Sequence, residues 1–67
     1  MRLRMNGMTF RISQMGADFL FVESTGDYPP TRATIELQVD DVHRAWDVNL
    51  PEGMKAGDER VALAAIG

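Results

Sequence analysis

The chemically capable side chains are densest at residues 40–43, where Asp40 and Asp41 precede the only histidine, His43. A carboxylate–imidazole group of this kind could ligate a divalent metal or work as a general acid and base. A metal site needs three protein ligands, and His43, Asp41 and Asp40 would have to supply all of them. Two carboxylates and a histidine beside a turn are ordinary surface chemistry, so His43 is expected to be exposed and free of metal. The chain has no cysteine, and no serine lies beside this group to act as a nucleophile. Ser13 and Ser24 fall at strand ends near turns, where hydroxyls bond the backbone. Neither enzymatic activity nor a cofactor is expected.

Binding chemistry is the next candidate. Arg2, Arg4 and Arg11 form a basic stripe at the N-terminal end, which suits nucleic acid or a nucleotide. Against that reading, the formal net charge is −3, and Phe10, Phe19 and Phe21 are expected in the core rather than on a stacking platform. Gly53 and Gly57 lack the spacing of a phosphate-binding loop, and no helix is expected to follow them. Trp46 is expected to anchor the core. Tyr28, beside Pro29 and Pro30, is the best candidate for an aromatic exposed in a loop, although a structural role in the turn is the favoured reading. Met1, Met5 and Met8 read as adaptable core filler.

Composition narrows the setting. Sixty-seven residues allow one small domain, residues 1–67, whose core is marginal at this size. Without cysteine there is neither a disulfide framework nor a thiolate metal site. No apolar run approaches the roughly 20 residues of a membrane span. Met1-Arg2-Leu3-Arg4-Met5 lacks the apolar stretch of a signal peptide, so a cytoplasmic protein is expected. At 45% hydrophobic and 25% charged residues, the chain belongs with folded proteins rather than disordered ones.

The elements that must position these residues follow from period-two alternation. Met8, Phe10 and Ile12 alternate with polar residues, as do Ile35, Leu37 and Val39, and then Val42, Trp46, Val48 and Leu50 with a weaker polar set. Asn6-Gly7 is a strong hairpin signal. A two-residue loop there pairs Met5 with Met8, Leu3 with Phe10 and Met1 with Ile12. A loop at Asp40-Asp41 pairs Val39 with Val42, Leu37 with Arg44, Ile35 with Trp46 and Ala33 with Val48. A loop at Met15-Gly16 pairs Ile12 with Phe19 and Phe10 with Phe21. The last strand is expected over Arg60 to Ile66, with Val61, Leu63 and Ala65 inward, after a long mobile loop from Pro51 to Asp58. The predicted fold is all-β: a six-stranded antiparallel meander, in two three-stranded halves, forming a barrel or a two-sheet sandwich. Phe10, Phe19, Phe21, Ile35, Leu37, Trp46, Val48 and Leu63 are the expected core.

Two further expectations concern surfaces. The run Phe19-Leu20-Phe21-Val22 does not alternate, and inward phenylalanines would leave Leu20 and Val22 outward without cover. With Arg2, Arg4 and Arg11 beside them, and Glu36, Asp40, Asp41 and Asp47 outward on strands four and five, they form the predicted self-association surface of a homo-oligomer. A non-enzymatic protein acting through self-association, or through another protein partner, is therefore the leading reading; nucleic-acid or nucleotide binding through Arg2, Arg4 and Arg11 is the alternative. Arg44 is expected to snorkel at the core rim; a structural pairing with Glu23 would need the two halves to close suitably and is not the favoured reading.

The segment Leu50-Pro51-Glu52-Gly53, with the strand Val61 to Ile66 after it, resembles the barrels of PilZ-type cyclic-dinucleotide receptors over less than a third of the chain. That family's pair of arginines separated by three residues is absent, since the N-terminal arginines are Arg2 and Arg4, and so is its Asp-x-Ser-x-x-Gly element. No function and no site are carried over.

Overall fold

Asn6 and Gly7 take φ values of 51° and 78°, the double positive φ of a type I′ turn. They join β1 (Arg2–Met5) to β2 (Met8–Met15) in the register expected from sequence, with Leu3 opposite Phe10 and Arg4 opposite Thr9. Asp40, at φ 52°, turns β4 (Thr31–Val39) into β5 (Val42–Leu50), again in the expected register along the whole ladder. In the computed structural model, which describes all residues except Ser24, Thr25 and Gly67, these strands belong to one antiparallel sheet. Ser24, and the first residue of the connection from Thr25 to Thr31, thus lie outside the described residues.

The sheet is completed by β3 (Phe19–Val22), β6 (Arg60–Ala62) and β7 (Ala64–Ala65), and runs in the order β6-β3-β2-β1-β4-β5-β7. It is all-β and curls into a half-barrel. Two features of the predicted meander are corrected. The halves join through β1 and β4, with Leu3 opposite Ile35, rather than through consecutive strands three and four. The final strand is also two strands. Its chain pairs with β3 up to Ala62, passes Leu63, and pairs with β5 from Ala64, so it reaches both edges of the curled sheet. This break leaves Ala65 exposed instead of inward, while Val61 and Leu63 are buried as expected.

Strand three shows the largest departure. A bulge between Ile12 and Gln14 moves the inward row of β2 from even to odd positions. Ile12 then faces Val22, and Met15 faces Leu20. The turn lies two residues later than expected, closed by the Gly16 N–H donating to the Phe19 carbonyl at 2.8 Å. Leu20 and Val22 are consequently fully buried, and Phe19 and Phe21 lie half-buried on the opposite face. There the two rings meet edge to face at 5.6 Å, and the Arg60 guanidinium lies 5.0 Å from the Phe19 ring centre.

The core comprises Leu3, Met5, Ile12, Leu20, Val22, Ala33, Ile35, Val48, Leu50, Met54, Val61 and Leu63. Of the predicted core, Ile35, Val48 and Leu63 belong to it, and Phe10 and Leu37 are half-buried. Trp46 is not a buried anchor but 37% exposed.

One end of the half-barrel is capped. Tyr28 and Met54 exchange two backbone hydrogen bonds of 3.0 Å, which lay the 51–58 segment across that end. The Tyr28 hydroxyl donates to Met8 Sδ at 3.3 Å, and its ring meets Phe10 edge to face at 5.8 Å. Tyr28 is therefore a half-buried residue with a structural role, the reading favoured from sequence, and not an exposed loop aromatic. The expected mobile loop from Pro51 to Asp58 is likewise corrected, because Met54 is buried and the Ala56 N–H donates to Asp27 Oδ1 at 3.0 Å.

Candidate interaction surface

The opposite end of the half-barrel is uncovered, for a reason of strand length. β4 and β5 each run nine residues, but β1 runs four and pairs with β4 only from Thr34 to Glu36. β7 pairs with β5 only at Val48 and Asn49. The distal part of the β4–β5 hairpin therefore projects beyond both neighbours. Every residue from Val42 to Asp47 is exposed.

The inward row continues into this projection and keeps its apolar character. Among the described residues, the exposed large hydrophobics are Met1, Val39, Val42 and Trp46. Val39 pairs with Val42 at the hairpin tip, and Leu37 and Arg44 pair one step below. Leu37, Val39, Asp40, Val42 and Arg44 line a shallow, mostly apolar hollow. Continuing the β1 register by one residue places Met1 beside Leu37. The exposed apolar residues are thus gathered at one end rather than scattered, which is what distinguishes a binding patch from ordinary surface.

The outer face of the same strands holds the charged residues singled out in the sequence. Because β1 lies beside β4, the basic and acidic strands are neighbours within one sheet. Arg4 Nε lies 3.5 Å from Glu36 Oε1, and His43 Nε2 lies 3.6 Å from Glu36 Oε2. The Thr34 hydroxyl donates to Asp47 Oδ1 at 2.8 Å. Part of the charge complementarity assigned to a contact between copies is therefore met inside one chain. The Arg4–Glu36 pair is surface chemistry, with Arg4 mostly exposed. Glu36→Gln should change stability by less than about 1 kcal/mol, whereas Ile35→Ala, beneath it in the core, should cost about 2–5 kcal/mol. Thermal melts of the two variants check this; equal losses would mean that charge rather than burial joins β1 to β4.

The sequence-derived surface is not assembled. Arg2, Arg4 and Arg11 are exposed on the outer face, but Leu20 and Val22, which were to lie beside them, are in the core. Glu23 hydrogen-bonds through its N–H to the Arg11 carbonyl, and among the described residues it forms no ion pair with Arg44. Ser13 behaves as expected: its hydroxyl donates to the Phe21 carbonyl at 3.3 Å. His43 is exposed, and no group of three or more His, Asp or Glu side chains suited to a metal occurs among the described residues. The outward Phe19 and Arg60 border a hollow that also contains Asp18, Glu52 and Asp58, whose carboxylates repel a phosphate backbone.

Fold and surface together define a small antiparallel half-barrel, capped at one end, with an apolar hairpin projecting at the other. No family model, curated protein or solved structure matches the chain. Among the described residues no helix is long and apolar enough to cross a membrane.

Proposed function

We propose that this is a non-enzymatic cytoplasmic protein that acts by association, first of all with a second copy of itself, through the open end of the half-barrel. One observation carries the reading: Met1, Val39, Val42 and Trp46 are exposed together around the projecting hairpin. A second copy is the occupant that fits the size of the chain. A standard interface covers about 800 Å² on each partner, roughly a sixth of this chain's 4546 Å². A domain with so small a core gains much from that burial, by mass action on the folded state. The charges along β5 also complement themselves when the strand is reversed.

Sedimentation at micromolar concentration tests the proposal. The parent should run as a dimer. Trp46→Ala should weaken association roughly tenfold or more, as truncation of a central aromatic does. Val42→Lys should leave a folded monomer, since position 42 is exposed at the tip. A parent that stays monomeric, or a dimer indifferent to both substitutions, overturns the reading.

A further inference from the structure

On the outer face of the sheet, away from the open end, we propose a binding site for a phosphate group: the hollow between Arg4, Asn6 and Arg32, where two guanidiniums and an unpaired backbone N–H converge. The site is independent of the self-association proposed above and gives the outer face a ligand of its own.

The hollow arises where β1 stops short of β4. Met5 and Met8 flank a two-residue turn and form a hydrogen-bonded pair of the β1–β2 ladder. Alternation then turns the backbone groups of Arg2 and Arg4 toward β4, where Glu36 and Thr34 meet them. Arg32 is next in that series on β4. Continuing the register sets Asn6 beside it, but Asn6 has already entered the turn, at φ 51°, and the ladder ends at Arg4 and Thr34. The other side of β4 supplies no acceptor. Val39 and Val42 flank their turn as a hydrogen-bonded pair, so Arg32 and Asn49 fall at a non-hydrogen-bonded position. The Arg32 carbonyl accepts from the Thr31 hydroxyl at 3.4 Å. The Arg32 N–H has no partner among the described residues. A backbone donor left in this way takes water or a ligand.

The side chains decide which ligand. Arg4, Arg32 and Thr34 have the outward parity of their strands, while Met5 and Ala33 are buried and floor the hollow with backbone. Arg4 uses only its Nε toward Glu36, at 3.5 Å, so its two terminal amino groups remain to donate. Arg32 forms no ion pair among the described residues. Two guanidiniums on neighbouring strands and an N–H in the plane of the sheet place donors in three directions. A tetrahedral oxyanion matches that arrangement better than a flat carboxylate with two oxygens. The hollow, of about 220 Å³, has room for one phosphate group and some of its water. A long polyanion is disfavoured, because the basic stripe is interrupted: Glu36 lies opposite Arg2, and the Glu23 N–H bonds the Arg11 carbonyl. Among the residues lining the hollow, Asp47 alone opposes an anion. Its Oδ1 accepts from the Thr34 hydroxyl at 2.8 Å, and the two guanidiniums outweigh its single charge.

Titration with inorganic phosphate in place of chloride, at constant ionic strength of about 0.15 M and followed by amide NMR, tests the site. The Arg32 amide should shift saturably. Arg4→Gln and Arg32→Gln should each weaken binding roughly tenfold or more, the loss of charge-assisted hydrogen bonds. Asp47→Asn should tighten it about threefold, by removing one unit of like charge. Arg11→Gln makes the same change in net charge as the first two, but outside the hollow, and should change binding less than about twofold at this ionic strength. All four positions are exposed, so the variants should stay folded.

Two further arms, phosphoserine and a nucleoside monophosphate, separate the sources of the phosphate. An ester that binds more tightly than inorganic phosphate assigns the site to that ester, and equal binding assigns it to the free anion; both support the site. An Arg32 amide that phosphate does not move overturns it. So does binding that Arg4→Gln and Arg32→Gln weaken no more than Arg11→Gln does, which would reduce the effect to net charge.

Discussion

Leu20→Lys should unfold the protein. Leu20 is fully buried, opposite Met15 on β2 and Val61 on β6. Truncation to Ala would already cost about 2–5 kcal/mol. Lysine adds an ammonium to a core that, among the described residues, holds no buried polar or charged group to receive it. An unpaired buried charge costs several kcal/mol more. A chain of this size has a margin of about 5 kcal/mol, so the sum exceeds what the fold can sustain. Phe21→Lys is the matched control. Position 21 has the opposite parity and is half-buried on the outer face, where the new cation can reach water. It should stay folded, losing the ring contact with Phe19. Circular dichroism and thermal melting separate the two. A Leu20→Lys variant that melts with the parent would return strand three to the outward parity that its sequence suggests.

That contrast shows where the sequence is informative and where it is not. The hairpins at Asn6-Gly7 and Asp40-Asp41 are legible because each turn sorts apolar residues onto one face in a single register, and a slip by one residue would undo the sorting. Strand three offers no such test. Phe19, Leu20, Phe21 and Val22 are all apolar, so either parity buries a hydrophobic row. The deciding feature is a bulge on β2, and the residue within it, Ser13, is unremarkable in sequence. The order of strands is hidden for a related reason. Alternation shows which residues face inward but not which strand lies alongside. The pairing of Leu3 with Ile35 depends on closing a loop of some thirty residues.

The candidate surface was half visible. Sequence alone aligns Val39 with Val42 and Ile35 with Trp46 on the inward row, and the structure places them so. It also leads to the assumption that an inward row is a buried row. Burial depends on what lies across from the row, and four-residue β1 ends before the hairpin does. The mismatch in strand length was the available signal, since the Asp40-Asp41 hairpin is much longer than the one at Asn6-Gly7.

The second large effect is expected at the capped end, where Gly53→Ala should release the 51–58 segment. Gly53 has φ +63°, a conformation that costs an L-residue about 1–2 kcal/mol. A Cβ there would also collide with the Tyr28 carbonyl oxygen, and would lie 2.6 Å and 2.7 Å from the Pro29 carbonyl carbon and oxygen. These are backbone atoms beside two prolines and cannot swing aside as a side chain would. Relieving the collision means parting the Tyr28–Met54 backbone pair, two hydrogen bonds of about 1 kcal/mol each. It also exposes Met54, whose burial is worth about 2 kcal/mol. The total of about 5 kcal/mol approaches the whole stability of a domain this small. Gly57→Ala supplies the comparison within the same segment. Gly57 also has positive φ, at +83°, but a Cβ there meets nothing within 4 Å. Its cost should be the conformational one alone, about 1–2 kcal/mol, or a fall in melting temperature of roughly 4–16 °C. Gly53→Ala should be largely unfolded at room temperature, or show increased hydrogen exchange at the Met54 and Tyr28 amides if it folds. Equal melting temperatures for the two variants would mean that the segment does not close the barrel end, and that Tyr28 and Met54 pack there without it.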